Sequence, residues 1–288
     1  MIDVHGTERR LEMKVTEADF VKGFIRMADD GWLMGWHERN GGNLSYRIRP
    51  EEVETIKENL APREWSDIGT AVPGLGGEYF LVTGSGKYFR NIAENPEDTL
   101  CIIELDENGE KYRVCWGLVN GGRPTSELPS HLMNHEVKKR VSGGRHRVIY
   151  HAHTTNVIAL TFVLEPEDRT FTHELWEMAT ECPVVFPEGV GVIPWMVPGG
   201  RRIAVETARK MEEYNLVIWA HHGMFASGED FDLTFGLMHT AEKSAEILVK
   251  VRSMVPVKRQ TITDENLLEL AKEFKVTLPD KFISQQSE

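Results

Sequence analysis

The chain has 288 residues, 41% of them hydrophobic and 27% charged, with 45 acidic side chains against 33 basic ones and a net charge of −12. This is globular composition, long enough to bury a core without staples, which excludes a disordered chain, a collagen-like repeat and a disulfide-stapled mini-fold. The acidic balance speaks against a nucleic acid partner, and no run reaches the roughly 18 apolar residues of a membrane span.

In chain order, residues 16–36 carry Val21, Phe24, Ile25, Ala28 and Trp32 at helical spacing, with Thr16 as expected N-cap and Gly35 as the stop. ERNGGNLSYRI reads as a Gly-rich turn running into a strand. Residues 47–78 form a polar excursion with a short helix near 51–60. EYFLVTGS is a strand entering a tight loop, and CIIELD and KYRVCWGLV form a hairpin across the Asn-Gly of DENGEK. TSELPSHLMNHEVKKR is a helix started by Thr or Ser and ended by basic residues, and RVIYHAH is a strand. TNVIALTFVL and FTHELWEMATE read as helices, and PVVFP, VGVIPW and YNLVIWAHHG as short strands. Phe231–Met254 is a long helix with Leu237, Ala241, Ala245 and Leu248 on one face and Pro256 as its stop. Asn266–Phe274 is a short helix with Leu267, Leu270, Ala271 and Phe274 at core spacing. Hairpins mixed with helices, without regular βαβ alternation, predict a mostly antiparallel central β-sheet flanked by helices. No repeat or linker divides the chain, so one α/β domain over residues 1–288 is expected.

Cys101, Cys115 and Cys182 are odd in number and match no zinc or redox spacing. The N-terminal MIDVHGTERRLEMK lacks the apolar stretch of a signal peptide. Both point to a cytoplasmic protein.

Three histidine clusters could carry chemistry. His151 and His153 flank one alanine in a strand, so both imidazoles share a face and could ligate a divalent metal. His221 and His222 end another apolar strand; neighbours point to opposite faces, so only one can join, and the spacing does not choose. His131 and His135 lie one helical turn apart. HLMNH lacks the glutamate of HExxH, so these two are expected to be solvated or capping histidines.

Glu127, framed by Pro124 and Pro129 at a helix start, either favours the helix dipole or serves as a general base beside a metal. VTGSGKYF fails as a Walker loop, since Leu81 and Tyr88 stand where Gly and Ser or Thr are required. Its Gly-Ser-Gly turn, with Ser85, can still form an anion nest. Asn40 and Asn43 around Gly41 and Gly42 offer amide donors, and Thr125 and Ser126 add hydroxyls. Together they suggest one phosphate pocket without Lys or Arg.

GWHERNGGNLS, FLVTGSGKYFRN, WGLVNGGRPTSELPSH, RVIYHAHTTNVIALT, LWEMATECPVVFPEGVGVIPWMVPG, HHGMFASG and TFGLMHTAEKSAEILVKV occur in this order across nearly the whole chain. As a set they resemble the class II aldolase/adducin family. The resemblance implies a three-layer α/β/α fold and a zinc-dependent aldolase. Such an enzyme cleaves a sugar phosphate between C3 and C4 through an enediolate stabilised by the metal. It implies His151, His153 and His222 as ligands of one Zn2+ per subunit, with His221 a bystander. Glu127 would be the catalytic acid/base, and Asn40, Asn43, Ser85, Thr125 and Ser126 would hold the substrate phosphate. Glu181 would be a carboxylate lent to a neighbouring subunit's site, in a homotetramer with sites at subunit interfaces. Residues 47–78 align with nothing in the family pattern and are its variable excursion.

A fuculose-phosphate aldolase and a pentulose-phosphate 4-epimerase share the metal and the retro-aldol step. A non-catalytic adducin-like binding domain would have lost the histidines and Glu127. A Schiff-base aldolase would use Lys87, which has no apolar run around it to desolvate the amine.

Overall fold

A computed structural model describes residues 14–283. The N-terminal segment read for a signal peptide lies outside the described residues, Lys14 excepted. The first helix, α1 (Asp19–Leu33), buries Phe20, Val21, Phe24, Met27 and Ala28. Thr16 is not its cap: it sits inside a 3-10 turn, Val15–Glu17, and Ala18 holds the N-cap position without a side-chain bond. The excursion is ordered. After β1 (Asn43–Arg47), α2 (Pro50–Ile56) starts on a proline whose fixed φ suits a first turn, and β2 (Ser66–Asp67) follows as a two-residue strand. Next come β3 (Tyr79–Thr83), α3 (Pro96–Thr99), and the expected hairpin of β4 (Leu100–Leu105) and β5 (Lys111–Gly117).

The helix α4 (Leu128–Val141) starts at Glu127, which takes the N-cap position expected for Thr or Ser. Then come β6 (Val148–Ala152), α5 (Thr155–Leu160) and α6 (Asp168–Trp176). PVVFP is not a strand: α7 (Cys182–Val185) is a single helical turn with proline in its first turn. A four-residue apolar run has no period to tell the two apart. After β7 (Gly191–Ile193), α8 (Arg201–Met211) buries Ile203, Ala204, Thr207, Ala208 and Met211. That stripe has helical spacing but is interleaved with arginine and glutamate, which hides it in the sequence. Equally unexpected is β9 (Gly223–Gly228), which pairs with the preceding β8 (Leu216–Trp219). The chain closes with α9 (Phe231–Met254), as expected, and α10 (Asp264–Phe274). In α10, Leu267 and Ala271 are buried but Phe274 is 56% exposed, so the buried stripe is shorter than its spacing predicts.

Among the described residues nine strands form one sheet, in the order β2-β5-β4-β3-β1-β6-β9-β8-β7. Every pairing is antiparallel except β7 with β8, so the sheet is mixed at that edge. That parallel pair is joined through α8, as a parallel connection requires. Consecutive residues of β6 divide the helical layers. Tyr150 reaches His37, just beyond α1, while His151 stacks on Phe225, whose ring also meets His131 of α4. On the α1 side, α9 packs on α1 and α5; on the other, α4 packs on α8. The excursion contributes Ile68, Val72 and Leu75 to a second apolar cluster with Phe80, Leu128 and Leu132. All three cysteines are free and buried. Among the described residues no helix is long and apolar enough to cross a membrane.

Candidate active site

Two chain reversals bring three imidazoles together. β6 carries His151 in its interior, and His153 lies one residue past the strand end, its N–H bonded to Trp36 O at 3.0 Å. β8 and β9 form a hairpin with Trp219 opposite Gly223, so His221 and His222 occupy its turn rather than a strand. His221 takes a left-handed conformation, φ 61. Its N–H and Nδ1 meet Thr161 Oγ1 at 2.9 and 3.0 Å, and its ring packs on Phe162. His222 turns the other way, and its Nε2 is 3.3 Å from His151 Nε2. Ligand atoms of His151, His153 and His222 all lie within 4.8 Å of one another. The turn makes the choice that spacing leaves open.

The hydrogen bonds around this group fix which nitrogens are free. His151 Nδ1–H donates to Met224 O at 3.1 Å, and His153 Nδ1–H donates to Glu38 Oε1 at 2.6 Å. Both rings are left with a bare Nε2 turned inward, which is how outer hydrogen bonds prepare metal-ligating histidines. The 3.3 Å between His151 and His222 nitrogens is close to the about 3.4 Å that a tetrahedral zinc with 2.0–2.1 Å bonds requires. Burial holds the His151 imidazole well below its ordinary value and brings His222 down to about 4, with His153 nearby adding to both. The neutral, ligating form is thus favoured. Gly223 is required by this closure: a Cβ there would lie 2.5 Å from Ala152 O and 3.1 Å from the His151 ring.

Glu127 sits beside the imidazoles. Its Oε2 is 3.9 Å from His151 Nε2 and accepts a hydrogen bond from Asn43 Nδ2 at 2.8 Å. Burial raises the Glu127 carboxyl above its usual range, and the Asn43 bond opposes part of that rise. A carboxyl so tuned can both take and return a proton.

The two donor loops are laced together. Gly84 bridges to Pro124, Ser85 N–H donates to Arg123 O at 2.8 Å, and Thr125 N–H donates to Thr83 O at 2.9 Å. The Ser85 N–H is therefore spent, and the residue offers its hydroxyl rather than a nest. A cavity of about 260 Å³ results. Asn40, Asn43, Ser85, Thr125 and Ser126 line it together with Glu127, His151, His153 and His222, with no Lys or Arg. Gly42 lets the Asn40–Asn43 turn approach, since with φ 74 any Cβ would collide with His37 Nδ1 and His151 O.

Pro198 and Gly199 also line the cavity, and sequence reasoning does not find them. Glu38 escapes it too, because nothing in its neighbourhood marks a carboxylate that will meet a histidine 115 positions away. Glu181 is exposed at the N-cap position of α7 and does not line the cavity of its own chain. His131 and His135 are neither solvated nor capping: they are 0% and 1% exposed, and bond to Asn43 and Ser45 of β1. Lys87 Nζ is ion-paired to Asp98 at 2.8 Å, which ties up the amine a Schiff-base reading needs. A larger hollow of about 730 Å³ beside α10, lined by Met178, Val251, Leu270 and Phe274 with Glu177 and Glu269, has no imidazole or thiol in its wall.

The profile of the Class II Aldolase and Adducin N-terminal domain matches residues 23–249. The chain belongs to the class II aldolase and adducin family. It is 54% identical over 263 residues to the rhamnulose-1-phosphate aldolase of Mannheimia succiniciproducens, covering 91% of this chain and 96% of that relative. It is 51% identical to the enzyme of the same name from Pectobacterium atrosepticum, covering 90% and 94%. Among solved structures, a sugar-phosphate aldolase from Thermotoga maritima superposes with a TM-score of 0.70 at 27% identity, over 82% of this chain and 96% of that one. Class II aldolases are metal-dependent, and the His151–His153–His222 group is able to hold a metal ion.

Proposed function

We propose that this protein is a zinc-dependent class II aldolase, a lyase that reversibly cleaves L-rhamnulose 1-phosphate to dihydroxyacetone phosphate and L-lactaldehyde. The observation that carries this reading is Glu127, buried and 3.9 Å from His151, in one cavity with three convergent imidazoles and a set of neutral donors. The names of the relatives at 54% and 51% identity support the sugar.

As the C3–C4 bond breaks, the C4 hydroxyl loses its proton to water and becomes the aldehyde carbonyl, and the bonding pair leaves negative charge on the three-carbon fragment. His151, His153 and His222 would hold a divalent metal, which would supply Lewis-acid stabilisation of that charge. Glu127 gives a proton to C3 in cleavage and removes it in synthesis. Asn40, Asn43, Ser85, Thr125 and Ser126 hold the phosphate, and this remote binding positions the reacting carbons. Zinc would suit this site, since a set of three imidazoles matches its catalytic ligand preference. Glu181 serves a neighbouring subunit's site in a homotetramer. The enzyme acts in the cytoplasm, in keeping with its free, buried cysteines.

A panel of ketose 1-phosphates, assayed with and without chelator, tests the reading. L-Rhamnulose 1-phosphate should give the highest kcat/KM, with activity abolished by chelator and restored by zinc. A preference for L-fuculose 1-phosphate, or 4-epimerisation of a pentulose phosphate, would move the chain to another member reaction of the family.

A further inference from the structure

The two histidines of α4 that face neither solvent nor the cavity need an account. A buried imidazole is costly unless its nitrogens are bonded, and what they bond to is informative here. Glu127, His131 and His135 are spaced by four and form one stripe along α4 and its N-cap. Asn43 and Ser45 are spaced by two and form one face of β1. The two polar stripes interlock. Asn43 Nδ2 meets Glu127 Oε2 at 2.8 Å, and Asn43 Oδ1 meets His131 Nε2. His131 Nδ1 meets Ser45 Oγ at 2.6 Å, which in turn meets His135 Nε2 at 2.8 Å.

With Glu127 ionised, the form that takes the C3 proton in synthesis, chemistry sets every proton in this chain. An ionised Glu127 carboxylate can only accept, so Asn43 must present its NH2 group to it. The Asn43 carbonyl then faces His131, which must be the Nε2–H tautomer. Its bare Nδ1 accepts the Ser45 hydroxyl proton, and Ser45 Oγ accepts from His135 Nε2–H. The chain ends at His135 Nδ1, which is buried and has no partner. The opposite sense fails, because a flipped Asn43 amide would turn its carbonyl lone pairs on the carboxylate. An asparagine amide is nearly symmetric in shape, so packing alone does not choose between the two orientations.

We propose that His131 is a positioning residue. Its Nε2–H locks Asn43 in the orientation that donates to Glu127, and so aims the carboxylate at the substrate carbon. This rests on the proton-transfer role proposed for Glu127. The lock acts on the chemical step through Asn43, which is also one of the five proposed phosphate donors, and makes no hydrogen bond to His151, His153 or His222 or to Ser85, Thr125 and Ser126.

Two substitutions separate this role from simple packing. His131→Gln can place an amide N–H where Nε2–H stands and keep the Asn43 bond. His131→Asn is shorter and reaches only Ser45. His131→Asn should lower kcat roughly ten- to hundredfold, the usual scale for a residue supporting a site from outside it. Zinc content should stay near that of the parent protein, and KM for the ketose phosphate should change less than kcat, since Asn43 is one of five phosphate donors and the other four are untouched. His131→Gln should recover most of the lost kcat. Equal kcat in the two variants, or parallel loss of zinc in both, would overturn the proposal. Nitrogen-15 NMR of the zinc-loaded, histidine-labelled protein gives a readout independent of activity and of variant folding. His131 should appear as the neutral Nε2–H tautomer, and an Nδ1–H tautomer would refute the lock. If no ketose phosphate is cleaved, the functional reading fails, while the tautomer still decides the hydrogen-bond chain.

Discussion

Glu38 Oε1 accepts the Nδ1–H of His153 at 2.6 Å, and this single bond leaves His153 Nε2 free to turn toward His151 and His222. Glu38 is thus the outer support of His153 in the proposed metal centre, as Met224 O is for His151. Glu38→Ala is expected to weaken zinc affinity by about ten- to hundredfold, measured against a competing chelator. His221→Ala should leave it unchanged, because His221 is engaged with Thr161. Alanine at His151, His153 or His222 should abolish stoichiometric zinc.

The Glu127→Gln variant keeps the shape of the side chain and removes the acid. Its zinc content should be normal and its turnover lower by about 10²–10⁴-fold. The cleaner measurement omits the aldehyde. The parent enzyme should exchange the C3 hydrogen of dihydroxyacetone phosphate with deuterated solvent, and Glu127→Gln should not. Exchange at the parent rate would assign the base elsewhere.

Two glycines predict opposite effects. A Cβ at Gly223 would press on Ala152 O and the ring of His151, so Gly223→Ala should cost roughly 1–3 kcal/mol by urea unfolding and weaken zinc binding. Gly236, inside α9, has nothing within 4 Å of the place an alanine methyl would take. Gly236→Ala should raise stability by about 0.5–1 kcal/mol through helix propensity, with zinc binding intact.

Buried neutral histidines make stability depend on pH. Burial brings His37 and His131 down to about 3 and holds His135 well below its ordinary value. In the unfolded chain each titrates near 6.5. The stability these groups allow is fully present above about pH 6.5. Below it the unfolded state binds more protons, and stability falls by up to about 1.4 kcal/mol per pH unit for each histidine. Glu127, Glu188 and Glu242, raised by burial, act in the opposite sense nearer their own range. Urea midpoints of the metal-free protein should drop from pH 7 to pH 5, and His135→Leu should flatten that slope. A midpoint independent of pH across this range would contradict the buried neutral assignments.

Glu181 lines no part of its own chain's cavity, so a catalytic role for it requires a neighbour. Verified mixed oligomers of Glu127→Ala and Glu181→Ala subunits should recover part of the activity that each variant lacks alone. Absence of any recovery would mean that each site is complete within one chain.

Much of this molecule is written locally. The stripe of Leu237, Ala241, Ala245 and Leu248 specifies α9 because a 3.6-residue period needs no distant partner. The Asn-Gly turn specifies the β4–β5 hairpin, and two histidines either side of one alanine stay close wherever the strand goes. Local pattern fails where the signal is short or interrupted: four residues at α7 have no period, and α8 hides its stripe among charges. Which groups meet across the molecule is not local at all. His222 rather than His221 joins His151 because the β8–β9 turn puts His221 at positive φ, and the β6–β9 pairing then carries His222 across some 70 positions. His131 and His135 look like surface residues in sequence, since a helix with little amphipathic order does not say which side the sheet will cover. Packing against β1 buries them, and three of their four ring nitrogens find partners on Asn43 and Ser45. Sequence determined which side chains were available for chemistry. The tertiary structure alone decided which of them touch, because hydrogen bonds act over about 3 Å and only folding brings residues a hundred positions apart within that reach.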